Sequence, residues 1–146
     1  GDKDKGGMDV REAQAMAVNL DMHGAVLSIL GLPLARQLSK KIGELDKALD
    51  GDRRDLFSLC HSLVQRLCKG SRMVQALLYP HAAGMQKHMG IGGLDVESTL
   101  AAIVSGNRAL VEETGEAWIS LMFKTMAQYQ ARRARWLEAA MPLVCP

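Results

Sequence analysis

The stretch Asp95-Val-Glu-Ser-Thr-Leu-Ala-Ala-Ile-Val-Ser-Gly-Asn-Arg-Ala-Leu-Val-Glu-Glu-Thr-Gly-Glu-Ala-Trp118 decides how the chain is read. Leu100, Ile103, Val104, Leu110 and Val111 recur at three- and four-residue spacing. The pattern then continues through Trp118, Leu121, Met122, Thr125, Tyr129 and Arg132 to Trp136. That is the period of an amphipathic helix, and Asp95 is a natural N-cap for it. Unbroken to Met141, such a helix would extend roughly 65–70 Å at about 1.5 Å per residue. The other patterned stretches are much shorter, so a lone bundle cannot cover it. Either it breaks at Gly106 or Gly115, or its excess length packs on a second copy. The reading adopted is a break or bend combined with dimerisation.

Upstream, shorter helices are sized to pack against this element. Asp9 caps a first helix carrying Met16, Leu20, His23 or Gly24, Leu27 and Leu30, which Gly31 and Pro33 end. Leu34, Leu38, Ile42, Leu45 and Leu49 form a second stripe, with Lys40, Lys41, Glu44 and Lys47 facing water. A third helix is expected from Arg53 to Leu78, with Leu56, Cys60, Leu63, Leu67, Val74 and Leu77 on one face. Gly70 lies in its middle, which marks a bend or the close approach of a neighbour. The glycine-rich segment from His81 to Gly93 reads as a loop with one helical turn around Met85 to Met89, and as the mobile or functional loop. The expectation is an all-α fold, a four- to five-helix bundle with a long C-terminal helix. Residues 9–146 form its single domain. Residues 1–8 read as a disordered arm or a remnant of preparation.

Composition agrees with helices. The chain of 146 residues is 48% hydrophobic and 23% charged, with two Phe, two Tyr and two Trp, too few aromatics to fill a β-sandwich. A net charge of +2 does not imply a nucleic-acid partner. No segment reaches the roughly 20 apolar residues of a membrane span, and the polar start Gly1-Asp-Lys-Asp-Lys-Gly-Gly7 is no signal peptide. Cys60, Cys68 and Cys145 make no paired framework, which fits free thiols in a bacterial-type cytoplasm.

The candidate chemistry is sparse. No nucleophile elbow, phosphate loop, dinucleotide fingerprint or di-iron carboxylate cluster occurs. His23 falls on an apolar face and reads as a core histidine. Cys60 and Cys68, two turns apart, read as small buried hydrophobes. Glu112, Glu113 and Glu116 read as a solvated surface. His81 and His88 beside Met85 and Met89 form the kind of cluster that suits a soft metal or haem. Arg132, Arg133 and Arg135 near a helix end complement its dipole.

The run Asp52-Arg-Arg-Asp-Leu-Phe-Ser-Leu-Cys-His61-Ser-Leu63 resembles the phosphorylated segment of histidine-phosphotransfer domains. The resemblance implies an exposed, phosphate-accepting His61, although Val64 and Gln65 stand where that family carries Lys and Gly. Gly106 to Trp118 and the Gln- and Arg-rich helix after it resemble phasins, helical oligomeric proteins that coat polyester granules. That resemblance covers only the final helix.

The sequence thus points to a non-enzymatic binding or regulatory module, without a cofactor or a metal. Its contact residues are expected to be Trp118, Met122, Tyr129 and Trp136 on the last helix, with Met85 and His88 in the loop. The expected partner is a second copy or another protein. A small apolar ligand or a haem or metal at the His81–His88 loop is the alternative.

Overall fold

Several of the helix boundaries in this chain fall at a residue in left-handed backbone: Asp21, Gly70, Asp95 and Gly106. The structure, a computed structural model, describes residues 9–31, 51–89, 91–128 and 141. These residues are all-α, without a strand. The expected second helix, with Leu34 to Leu49, falls outside them, as do Tyr129 and Trp136.

The expected first helix divides into α1 (Val10–Asn19) and α2 (Met22–Gly31). Asp9 caps α1 as expected, its side chain accepting from Arg11 N. Asp21, at φ 55°, breaks the run, and its carbonyl accepts the first hydrogen bond of α2, from Ala25 N at 3.1 Å. Asp is one of the few non-glycine residues that enter this region at modest cost. Its carboxylate lies over Gly24, where a Cβ would have no room.

The expected third helix also breaks. α3 (Gly51–Cys68) ends at Gly70, which sits at φ 70°, and α4 (Arg72–Leu78) restarts with Ser71 as its cap. Gly70 is therefore a helix terminator and not an interior residue. A 3-10 turn (Tyr79–His81) and α5 (Ala82–Gln86) follow. The His81–Gly93 segment, expected to be a mobile or functional loop, is packed into the core: Ala82, Met85, His88, Met89 and Ile91 are all buried. Its apolar side chains find partners across the core, which a local period does not reveal.

The last pattern breaks at both candidate glycines. α6 (Val96–Val104) ends before Gly106, at φ 66°, and Asn107 caps α7 (Arg108–Glu113) through Leu110 N. The Thr114 hydroxyl donates back to Leu110 O at 2.7 Å, and α8 (Glu116–Gln128) begins after Gly115. Asp95 stands before α6 in left-handed backbone, its carboxylate accepting from Ser98 Oγ.

α3 and α6 are the packed centre, with α2, α4 and α5 laid around them. Phe57, Val64 and Leu67 meet Leu100, Ile103 and Val104 in one core. Each such side chain contributes about 1.5–3 kcal/mol on full burial. Buried glutamines close the helix ends that the breaks create. Gln14 Nε2 of α1 donates to Arg66 O and Lys69 O (3.2 and 2.7 Å) at the end of α3. Gln75 Nε2 of α4 donates to Ala102 O and Ser105 O (3.0 and 2.8 Å) at the end of α6, and its Oε1 accepts from Asn107 Nδ2. The last carbonyls of a helix have no partner inside it, and a preceding helix supplies one here.

Candidate functional site

The most chemically capable side chains converge where α3, α6 and the segment after α5 meet. His61 on α3 is fully buried, and so is Thr99 on α6. His61 Nδ1 lies 3.0 Å from Thr99 Oγ1, and its Nε2 lies 3.3 Å from His88 Nδ1. Gln65 Nε2 donates to Thr99 Oγ1 at 3.0 Å and to Asp95 O at 3.2 Å. The His88 ring stacks on Phe57 at 6.2 Å and meets the His61 ring edge-on at 5.5 Å. One proton order satisfies the whole line. Gln65 donates to Thr99, the Thr99 hydroxyl to His61 Nδ1, and His61 Nε2–H to His88 Nδ1. The other use of that hydroxyl, toward the carbonyls of His61 or Asp95, spans 3.5 Å and is weaker.

Burial also sets the charge of the pair. His61 is lowered to about 3, first by burial and then by His88, and His88 is lowered to about 4, first by burial and then by the Lys87 ammonium. Both rings are neutral near pH 7.

This geometry corrects three expectations. His61 is not partly exposed; its side chain points into the core with both ring nitrogens engaged, so no phosphoryl donor can reach it. Its position between the apolar residues Cys60 and Val64 of a buried face explains why. Met85 and His88 are buried, at 3% and 4% exposure, and so cannot form a partner surface. His81 is exposed while His88 is inside, so the two do not share a face as a metal or haem pair. Among the described residues no three His, Cys, Asp or Glu side chains are grouped to hold a metal ion.

The other candidates fall as follows. Cys60 and Cys68 are buried, and burial raises both thiols, Cys68 to about 12. Trp118 is half-buried and packs edge-on against Tyr79 at 6.1 Å, and Tyr79 OH donates to Thr114 Oγ1. α8 thus meets the core at its first turn. The Met122 side chain, Tyr129 and Trp136 lie outside what the structure describes. Glu112, Glu113 and Glu116 are exposed, with Glu112 paired to Arg108 at 2.7 Å. His23 is partly buried beside Asp21, at 3.6 Å. No helix among the described residues is long and apolar enough to cross a membrane.

Two features had little signal in the sequence. One is a cleft of about 370 Å³ between the end of α3 and α6, lined by Gln65, Lys69, Gln75, Glu97, Ala101 and Ser105 among others. Small residues at 98, 101, 102 and 105 make the room, a spacing that hinted at a close helix contact. The other is the exposure of large apolar side chains in helical pairs: Met16 with Leu20, Leu56 with Leu59, and Met73 with Leu77. The chain matches no family model, and no curated protein or solved structure shows detectable similarity to it.

Proposed function

We propose that this chain is a non-enzymatic helical interaction module that associates with a second copy through apolar side chains left outside its core. The observation that carries this reading is the pairing of exposed apolar residues one helical turn apart. Leu59 is 67% exposed and Leu20 is 69% exposed, and each has an exposed apolar neighbour three or four residues away. Single exposed leucines are ordinary, whereas rows at helical spacing suit a partner helix. Phe123 is likewise exposed on α8, the helix expected from the sequence to carry the contact. His61 and His88 argue in the same direction, because they are enclosed, neutral and hydrogen-bonded to each other. Sedimentation velocity of the full chain over a concentration series, with nothing added, tests the reading. Concentration-dependent dimerisation is expected, and a strictly monomeric profile would sink it.

The cleft supports a second reading, a binding site for a small polar molecule. Its volume lies at the lower end of the roughly 300–1,000 Å³ of small-molecule sites. Lys69 at its rim and the polar side chains of Gln65 and Ser105 favour a small molecule that carries a carboxylate. Backbone amide resonances of Gly70, Ala101 and Ser105 should move with about 10 mM norleucine, a concentration matched to weak binding. No movement would dispose of that site.

A further inference from the structure

α3 is apolar on two arcs. Its inner arc, with Phe57, Cys60, His61, Val64, Leu67 and Cys68, is buried in the core. A second arc, about 120° round the helix by its 3.6-residue turn, runs Asp52, Leu56, Leu59, Leu63, Arg66. The spacing is four, three, four and three, the 3.5-residue repeat of a seam between two helices. Leu56 is 44% exposed and Leu59 67%, while Leu63 is half-buried at the edge of the core. The ends of the seam are exposed and opposite in charge, Asp52 in the first turn and Arg66 in the last.

That charge order selects one arrangement. Laid parallel and in register, two copies would oppose Asp52 to Asp52 and Arg66 to Arg66. Laid antiparallel about Leu59, they bring Asp52 of each copy to Arg66 of the other, with Leu56 facing Leu63 between them. We propose that a second copy of this chain docks antiparallel along this α3 seam. The inference rests on the interaction-module reading and adds to it the surface and the register. The seam is about 21 Å long at about 1.5 Å per residue. Such a contact is small, and self-association through it is weak and reversible.

Sedimentation velocity of the full chain and its variants tests the proposal. The wild type should dimerise, and Leu59→Lys should weaken the dimer by about tenfold or more with an unchanged helical circular dichroism spectrum. Asp52→Arg and Arg66→Asp should each weaken it as well. An equimolar mixture of the Asp52→Arg and Arg66→Asp chains should associate more tightly than either alone, because every pair in the mixed dimer is then complementary. Single variants that dimerise as tightly as the wild type overturn the antiparallel register, and a mixture no tighter than its components overturns the charge pairing itself. A dimer indifferent to Leu59→Lys overturns the seam while leaving the interaction module standing. A wild type that is monomeric throughout overturns both. If residues 34–49 of the same chain cover the seam, the wild type will be monomeric and Leu59→Lys will lower its melting midpoint, which also overturns the proposal.

Discussion

Acid should destabilise this protein through the buried histidine pair, and the size of the effect follows from the structure. His61 and His88 hold folded values of about 3 and about 4, below the ordinary histidine value near 6.5. With folded values depressed, the unfolded chain binds more protons as soon as pH falls below about 6.5. The stability the neutral pair contributes is therefore complete above that pH. It is lost as pH falls toward 4 and then 3, below which these groups subtract nothing more. One pH unit in this window costs about 1.4 kcal/mol per group, so about pH 5 each histidine has cost about 2 kcal/mol. The pair together costs about 4 kcal/mol, a large part of the roughly 5–15 kcal/mol that holds a domain folded. Urea denaturation followed by circular dichroism at about pH 7.5 and about pH 5 measures it through a shift in midpoint at constant slope. His88→Gln keeps a polar group against His61 but cannot titrate, and should reduce the loss to about 2 kcal/mol. A wild-type loss under about 1 kcal/mol, or the same loss in His88→Gln, would refute the reasoning.

Four further expectations concern the joints of the fold. Gln75→Ala leaves the carbonyls of Ala102 and Ser105 without their donor and Asn107 without its acceptor. It should cost about 2–4 kcal/mol, counting about 1–3 for each unsatisfied buried group with partial relief by water, as read by chemical denaturation. Gly106→Ala meets no atom within 4 Å, so only its left-handed backbone is strained. A loss of about 1–2 kcal/mol is expected by the same assay. Thr99→Val keeps the shape of the side chain but removes the hydroxyl between His61 and Gln65. It should cost about 2 kcal/mol in the wild type and distinctly less in a His61→Leu background, where the lost partner is already gone. The Cys68 thiol, pushed up to about 12, should resist a disulfide reagent in the native protein and react on unfolding; fast native labelling at Cys68, assigned by mass spectrometry, would contradict its burial.

The fold class was legible because helix formers and a helical period dominate the sequence. The breaks at Gly106 and Gly115 were legible as alternatives, because each glycine interrupts an otherwise continuous stripe. That both are used follows from the carbonyls each break exposes, which Gln75 and the Thr114 hydroxyl satisfy. Gly70 was misread because an interior glycine and a terminating one look alike until the backbone shows its φ. The burial of His61, against the exposure that the phosphotransfer resemblance implies, is hidden in the sequence for a different reason. The stripe Leu56, Cys60, Leu63, Leu67 takes two residues from the buried arc of α3 (Cys60 and Leu67) and two from its outer arc (Leu56 and Leu63). Averaging the two arcs moved the apparent core face away from His61. The burial of Met85 and His88 had no local signal, since it depends on Phe57 and His61 arriving from another helix.

The two arcs of α3 divide its work between specificity and association. The inner arc places His61 in a polar line with Gln65, Thr99 and His88, where plain hydrophobes would pack at no desolvation cost. Such a line is satisfied in only one register of α3 against α6, because sliding either helix by a turn would leave Thr99 Oγ1 and His61 Nδ1 facing carbon. The network therefore fixes how α3 is turned about its own axis, and so fixes the direction in which the outer arc faces. An apolar inner arc of the same volume would tolerate rotation and would blur that outer surface. On this reasoning the histidines act on association only indirectly, by holding Leu56, Leu59 and Leu63 in one orientation. Thr99→Val should then broaden the concentration dependence of dimerisation as well as lower stability. Leu59→Lys should weaken association by about tenfold or more and leave the pH dependence of folding as it was.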